Sequence, residues 1–168
     1  MDRLSIKRAQ VRWALDHLEA GWGFEMLRVG QVMTPAPTCI SAEASALDLV
    51  RMFHDKEFRH LLITDNRGRL TGVVSDRDVL RCFGPDRSPR REVLASIPAS
   101  QIMSTDLVTI GPEATLPSAV KRLTEHGISC LPVTAGDVLV GIITNTDLHV
   151  VLESLLETRG VEAPASLV

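Results

Sequence analysis

The chain has 168 residues, enough for one ordinary domain or two small modules. Hydrophobic residues make up 45% and charged residues 23%, a balance that argues against intrinsic disorder. The formal charge is −3, aromatic residues are only 4%, and there is no tyrosine. A basic surface for nucleic acid and an aromatic platform for stacked bases are therefore not expected.

The sequence offers no targeting or metal-binding pattern. Its longest apolar runs, Leu61–Ile63 and Val138–Ile143, fall far short of the roughly 20 residues that a membrane span needs. Cys39, Cys82 and Cys130 are widely spaced without a CxxC motif, and no histidine pair has metal-ligand spacing. We expect a soluble, cytoplasmic protein with no metal requirement and with neither nucleic acid nor a membrane as a partner.

An amphipathic helix is predicted at the N-terminus, within an extension covering residues 1–28. Its apolar side consists of Leu4, Val11, Ala14, Leu15 and Leu18, and the helix is expected to end at Gly21-Trp22-Gly23.

The next segment, residues 29–83, predicts the order strand, helix, strand, turn, strand, helix. Thr38–Ile40 form a short strand, and the apolar residues within Ala46–Phe53 recur at helical spacing. His60–Thr64 and Leu70–Ser75 are β-branched-rich runs joined by the hairpin turn Asp65–Gly68. Ser75 then opens the last helix as an N-cap.

A polar linker over residues 84–98 precedes a second copy of the same pattern at 99–156, and residues 157–168 form a tail. Val32-Met33-Thr34 recurs 70 positions later as Ile102-Met103-Ser104, and Leu61-Leu62-Ile63-Thr64 as Leu131-Pro132-Val133-Thr134. Gly72–Asp78 recurs as Gly141–Asp147 at an offset of 69, after one residue is lost in the turn. Motifs that recur in the same order at a nearly constant offset indicate that the segment is duplicated.

The start of the last helix is the first candidate site. A Ser75 hydroxyl and an Asp78 carboxylate at this position can contact a phosphate and both hydroxyls of a ribose, because a cis-diol supplies two donors. The alternative is that they only cap the helix, which is common for this spacing. The duplicate pair Thr144 and Asp147, together with the family resemblance given below, favours ligand contact.

The order V-M-T, T-x-I, apolar helix, L-P-V and G-I-I-T-x-x-D resembles the CBS domain, named after cystathionine β-synthase, and two in tandem resemble a Bateman module. The resemblance implies an α/β fold (α+β) of two β-α-β-β-α domains packed through their sheets, with adenosyl ligands in clefts between them. It also implies a homodimer through the helices at 46–53 and 116–123. Leu62 departs from the pattern, since the family often has a proline there, as at Pro132.

By this resemblance, each copy supplies one set of nucleotide-binding residues and no catalytic residue. Site 1 comprises Thr38, Cys39, Ile40, Arg59, His60, Leu61, Ser75, Arg77 and Asp78. Site 2 comprises Val108, Thr109, Ile110, Ser129, Cys130, Leu131, Pro132, Thr144 and Asp147. Two members of site 1 keep an ordinary alternative: Arg77 as an exposed helix arginine, and His60 as a partly buried strand histidine.

We therefore expect a regulatory module that senses AMP, ADP or ATP, with NAD and S-adenosylmethionine as further candidates. With no appended catalytic segment recognised after Met1, it is expected to act on an effector protein in trans. A constitutive dimerisation scaffold with empty sites is the alternative. A nucleotide hydrolase is a weaker one, since no carboxylate cluster suited to Mg²⁺ is apparent. Arg59, His60 and Arg77 further predict that phosphate-rich ligands prefer site 1, because the matching residues in site 2 are Ser129, Cys130 and Thr146.

Overall fold

A computed structural model describes residues 2–18, 26–83 and 90–158 of the chain. The described residues form an α/β fold with an N-terminal helix, as predicted. The helices are α1 (Arg3–Asp16), α2 (Val29–Val32), α3 (Ala46–Lys56), α4 (Asp76–Arg81), α5 (Arg91–Ser96), α6 (Leu116–His126) and α7 (Asn145–Thr158), with a short 3-10 helix at Ala99–Gln101. The strands are β1 (Thr34–Pro35), β2 (Cys39–Ser41), β3 (His60–Thr64), β4 (Leu70–Ser75), β5 (Cys130–Ala135) and β6 (Val138–Thr144). The predicted stop at 21–23, the first part of the linker (84–89) and most of the tail (159–168) lie outside the described residues.

The strands form two three-stranded sheets, in the orders β2-β3-β4 and β1-β6-β5. In the first sheet β2 runs parallel to β3, with Cys39 opposite Leu62, and β3 runs antiparallel to β4, with His60 opposite Ser75. β3 and β4 have the bounds that the sequence predicts.

The second copy lacks a regular counterpart of β2 in the described residues. A single parallel bridge joins Ile110 to Val133, in which Ile110 N–H donates to the Pro132 carbonyl at 3.1 Å and Thr134 N–H donates to the Ile110 carbonyl at 2.9 Å. Pro132 has no N–H, so it cannot donate the bond that would extend the ladder towards lower residue numbers. The first copy has Leu62 here and keeps its strand.

The chain divides into two compact units that differ from the linear repeats. One comprises residues 1–35, 109–134 and 141–168, and the other comprises residues 36–108 and 135–140. In the first, Val29 N–H donates to the Ala114 carbonyl and Gly30 N–H to the Pro112 carbonyl, both at 2.8 Å. The segment that leads into the first copy thus bonds to the turn before α6 of the second copy.

The other unit contains the equivalent pair of backbone hydrogen bonds. Ala99 N–H donates to the Ala44 carbonyl at 2.7 Å, and Ser100 N–H donates to the Ala42 carbonyl at 2.9 Å. Here the segment that leads into the second copy bonds to the turn before α3 of the first.

Helices α3 and α6 each bury one apolar face within the chain. Ala46 and Leu49 of α3 are buried, as are Leu116, Ala119 and Leu123 of α6. Leu123, only 4% exposed, is therefore a core residue and not a surface open to a second chain. On α6 the outward apolar residue is Val120, at 45% exposure.

The buried face of α1 also differs from the predicted stripe. Val11 and Ala14 are buried as expected, but Leu4 is exposed and Lys7 is buried in its place.

Two glycine–methionine contacts explain why these residues occur in both copies. A β-carbon at Gly72 would meet the Met103 sulfur and would lie 2.9 Å from its Cγ. A β-carbon at Gly141 would meet the Met33 sulfur and would lie 3.1 Å from its Cγ. Each methionine therefore packs directly on backbone that only glycine leaves uncovered.

We predict that Gly72→Ala destabilises the protein by about 1–3 kcal/mol, because the added methyl group must displace Met103 from a packed core. Urea unfolding would show a lower midpoint. Gly111→Ala is the matched control, since nothing lies within 4 Å of a β-carbon there. Equal midpoints for the two variants would contradict this account of the contact.

Candidate functional site

The two candidate aspartates occupy equivalent positions at the starts of α4 and α7. Asp78 Oδ2 accepts from Ser75 N at 2.8 Å and from Ser75 Oγ at 2.6 Å. Asp147 Oδ2 accepts from Thr144 N and from Thr144 Oγ1, both at 2.7 Å. In each copy one carboxylate oxygen completes the capping box that the spacing predicts.

The capping box by itself does not identify a ligand site. Ser45 and Asp48 make the same arrangement at the start of α3, with Asp48 Oδ2 2.6 Å from Ser45 Oγ and Asp48 Oδ1 3.3 Å from Arg51 Nη1. Asp48 belongs to neither of the two sets of site residues that the sequence predicts, so this arrangement also occurs outside a predicted site. Asp78 and Asp147 differ in the partner of the second carboxylate oxygen and in its exposure to solvent.

In site 1 the second carboxylate oxygen belongs to an ion pair that is open to solvent. Asp78 Oδ1 accepts from Arg81 Nη1 at 3.0 Å, and the side chains of this pair are 22% and 79% exposed. An exposed pair three residues apart on one helix contributes at most about 1 kcal/mol, so it opens readily. Asp78 can therefore exchange Arg81 for a ligand donor.

In site 2 the second oxygen is buried. Asp147 Oδ1 lies 2.8 Å from Lys7 Nζ, and the side chains are 5% and 11% exposed. Lys7 Nζ also donates to the Val32 carbonyl at 2.7 Å. The two equivalent aspartates thus differ sharply in access.

The first sheet brings most of site 1 to one of its ends. His60 faces Ser75 across β3 and β4, and the Arg59 carbonyl accepts from Asp76 N at 3.1 Å. The Arg59 guanidinium lies 3.8 Å from the Asp76 carboxylate in an exposed pair. Arg77 is exposed and makes no ion pair with any described residue. Of the remaining members, Thr38 and Cys39 are exposed, Ile40 is half-buried and Leu61 is buried.

Site 2 has the same backbone frame with fewer accessible polar groups. The Ser129 carbonyl accepts from Asn145 N at 3.1 Å, matching Arg59 and Asp76. The Thr109 carbonyl accepts from Arg122. The other members are Ile110, Cys130, Leu131 and Pro132, which are buried, and Val108, which is half-buried.

Burial changes the chemistry of two site 1 side chains. It lowers the pKa of His60 below its usual 6.5, against the opposing effect of nearby Asp76. The ring is therefore neutral at pH 7 and adds no positive charge to the site. Partial desolvation of the sulfur also raises the pKa of the Cys39 thiol, although the residue as a whole is exposed, so the thiol stays protonated.

Sequence reasoning missed two residues that decide access to the aspartates, Lys7 and Arg81. Lys7 had a signal, because it lies four residues before Val11 and seven before Ala14, on the apolar face of α1. A lysine in such a stripe indicates a buried anionic partner. Arg81 follows Asp78 by three residues, a common helix pair.

The described residues include no helix that is long and apolar enough to span a membrane. They also contain no group of three or more His, Cys, Asp or Glu side chains arranged to hold a metal ion.

Comparison with known proteins identifies the family. Residues 29–84 and 99–154 each match the model of the CBS domain, so the chain belongs to the CBS-domain family and carries a tandem pair. The resemblance that the motifs indicate is therefore confirmed. The structure resembles an acetoin utilization protein (AcuB) of Vibrio cholerae, with a TM-score of 0.69 and 32% identity over 83% of this chain and 99% of that one.

Two further structures share the fold and contain ligands. The CBS domain pair of protein MJ0100 was solved with 5′-methylthioadenosine and S-adenosyl-L-methionine, and matches with a TM-score of 0.68 at 18% identity over 77% of this chain and 98% of that one. CBSX2 was solved with AMP, and matches with a TM-score of 0.64 at 24% identity over 79% of this chain and 98% of that one.

Among curated sequences, the inosine-5′-monophosphate dehydrogenase of Nitrosopumilus maritimus is 31% identical over 122 residues, which are 72% of this chain. The chain spans only 23% of the length of that enzyme.

The lowered pKa of His60 makes stability depend on pH. The unfolded chain protonates this ring near pH 6.5 and the folded chain only at lower pH, so protons favour unfolding in the interval between the two values. Stability attributable to His60 should be fully present above about pH 6.5 and fall as the pH drops below it.

An NMR titration of the His60 ring protons, with His60→Gln to assign the signal, should place its midpoint below 6.5. The same variant should lose the part of the decrease in folding stability at low pH that is due to His60. A midpoint at or above 6.5 would contradict the burial argument.

Proposed function

We propose that the protein is a regulatory module that binds an adenine nucleotide at site 1 and signals the occupancy of that site to an effector protein in trans. The observation that carries this proposal is the split carboxylate of Asp78 at the end of the first sheet, where His60 faces Ser75 and the Arg59 carbonyl accepts from Asp76 N. One oxygen is fixed by Ser75, and the other points to an exposed arginine that a ligand can replace.

The ligands of the related structures support the same chemistry. 5′-Methylthioadenosine, S-adenosyl-L-methionine and AMP share an adenosine with a free ribose diol. Two adjacent hydroxyls match carboxylate acceptors well, since each hydroxyl donates one hydrogen bond. Asp78 is the group of site 1 that we assign to the ribose.

The charges around site 1 favour a phosphate-bearing ligand. Arg59 and Arg77 are both exposed; Arg59 forms an exposed pair with Asp76, the first residue of α4, and Arg77 is the next residue of that helix. Because His60 is neutral at pH 7, these arginines and not the histidine are the expected phosphate partners. Site 2 has Ser129 and Thr146 in their places. We therefore assign AMP, ADP or ATP to site 1 ahead of NAD or S-adenosylmethionine.

The alternative is a scaffold whose sites stay empty. It differs from a sensor in one measurable respect, because a ligand that binds only the folded state raises the unfolding temperature with its concentration. A nucleotide-independent unfolding temperature would favour the scaffold.

We predict that Asp78→Asn weakens AMP binding roughly 10-fold to 100-fold, because a hydrogen bond to a charged acceptor contributes about 1.5–3 kcal/mol. Isothermal titration calorimetry measures the change directly. Asp48→Asn is the matched control, since Asp48 makes the same cap with a serine and the same arginine pair. Equal losses in both variants would show that the cap, and not a ligand contact, accounts for the effect.

We further propose a homodimer through helices α3 and α6, where Val120 presents an apolar side chain to solvent within one chain. Val120→Asp should convert the dimer to a monomer, because a buried unpaired carboxylate is strongly unfavourable. Light scattering on wild type and variant tests this, with Val138→Asp as the matched control, since Val138 is 63% exposed on β6. A wild-type monomer, or a dimer that Val120→Asp leaves intact, would contradict the proposed interface.

A further inference from the structure

The N-terminal helix places a lysine where a ligand of site 2 would bind. Lys7 Nζ lies 2.8 Å from Asp147 Oδ1, the carboxylate oxygen that the Thr144 cap leaves available. Both residues are buried. The equivalent oxygen of Asp78 pairs with an exposed arginine of its own helix.

A row of polar contacts holds α1 in this position. The Arg8 guanidinium makes a two-pronged pair with Glu153, both distances being 2.9 Å, and Arg12 lies 2.9 Å from Glu157. Arg8 and Arg12 are four residues apart, as are Glu153 and Glu157, so one turn of α1 matches one turn of α7.

On its other side α1 is fixed to the segment that leads into the first copy. Gln10 Nε2 donates to the Gln31 carbonyl at 3.0 Å and to the Met33 carbonyl at 2.9 Å. Lys7 itself donates to the Val32 carbonyl. Lys7 therefore reaches Asp147 from a helix that is fixed on two sides, and not from a mobile surface.

We propose that Lys7 occupies the ligand position at Asp147 and so blocks site 2 while α1 is packed against α7. The chain then binds adenine nucleotide at site 1 alone. This rests on the proposed function, since it takes Asp147 to be the counterpart of Asp78. The Lys7 ammonium supplies the hydrogen-bond donors that a ribose diol would otherwise supply.

The geometry of Asp147 explains why it cannot hold Lys7 and a ribose at the same time. Its Oδ2 already accepts two hydrogen bonds from Thr144 and its Oδ1 accepts one from Lys7, while almost no part of the residue is exposed. A ribose needs two acceptor positions, and only one of about four remains. Ligand entry therefore requires Lys7 to withdraw.

Withdrawal of Lys7 exposes a charge and separates α1 from α7. Binding at site 2 is thus coupled to release of α1, and by linkage any partner that captures the free α1 strengthens ligand binding at site 2. The N-terminal helix becomes the element through which occupancy of site 2 is reported.

Calorimetric titration with AMP tests the inference on the full chain. Wild type should bind one AMP per chain, and Asp78→Asn should weaken that event. Lys7→Ala should reveal a second event at least tenfold tighter than any seen at this site in wild type, which Asp147→Asn then removes. Lys121→Met is the matched control, since Lys121 forms an exposed pair with Glu125, and it should leave one event.

Because Lys7→Ala leaves Asp147 buried without its cation, its fold is first verified by circular dichroism. The double variant Arg8→Gln/Arg12→Gln keeps Lys7 and only loosens α1, and it should strengthen site 2 about twofold to tenfold. Two equal events in wild type, or one event in both folded variants, would overturn this inference while the proposed function stands. If neither wild type nor folded Lys7→Ala binds AMP, ADP or ATP, the proposed function fails and the inference with it.

Discussion

The aspartate three residues after the N-cap determines how the last helix of each repeat begins and, under the proposed function, which oxygen that repeat presents to a ligand. Its Oδ2 atom closes the first turn of the last helix on Ser75 or Thr144, which fixes the carboxylate against the sheet. Its Oδ1 atom is then held in one direction without further cost in side-chain entropy. The position is preorganised to receive a donor, and the identity of that donor separates the two repeats.

Much of the duplication in the sequence is explained by packing. Thr34 pairs with Ile142 in one unit, and Ser104 pairs with Val73 in the other, so the same short bridge is built twice. Each bridge brings a methionine against a glycine of the paired strand. These repeated residues specify the fold. Functional differences are expected where the copies differ. Arg77 in the first copy is replaced by Thr146 in the second, and Asp78 pairs with Arg81 whereas Asp147 pairs with Lys7.

The sequence was sufficient for elements with a strong local pattern. β3 and β4 have their predicted bounds because two runs with apolar and β-branched residues flank a turn that contains Asp, Asn and Gly. α3 and α6 form where predicted because each has a side-chain N-cap followed by an apolar stripe. The capping boxes of Asp78 and Asp147 were also predictable, since they depend on a spacing of three residues.

Contacts between distant parts of the chain were not predictable in this way. Lys7 meets Asp147 across 140 positions, and the leading segment of each copy joins the other copy. Periodicity showed that α6 has an apolar face, but not that Leu123 is already buried within a single chain. The loss of a strand before Ile110 depends on the missing N–H of Pro132, a detail visible only once the pairing is known.

A crystal structure of the full chain with AMP tests the central claim most directly. The account expects the ribose hydroxyls within hydrogen-bond distance of Asp78 Oδ1, with Arg81 displaced, Ser75 still bonded to Oδ2, and Lys7 still in contact with Asp147. AMP bound away from Asp78 would contradict it, as would AMP bound first at Asp147.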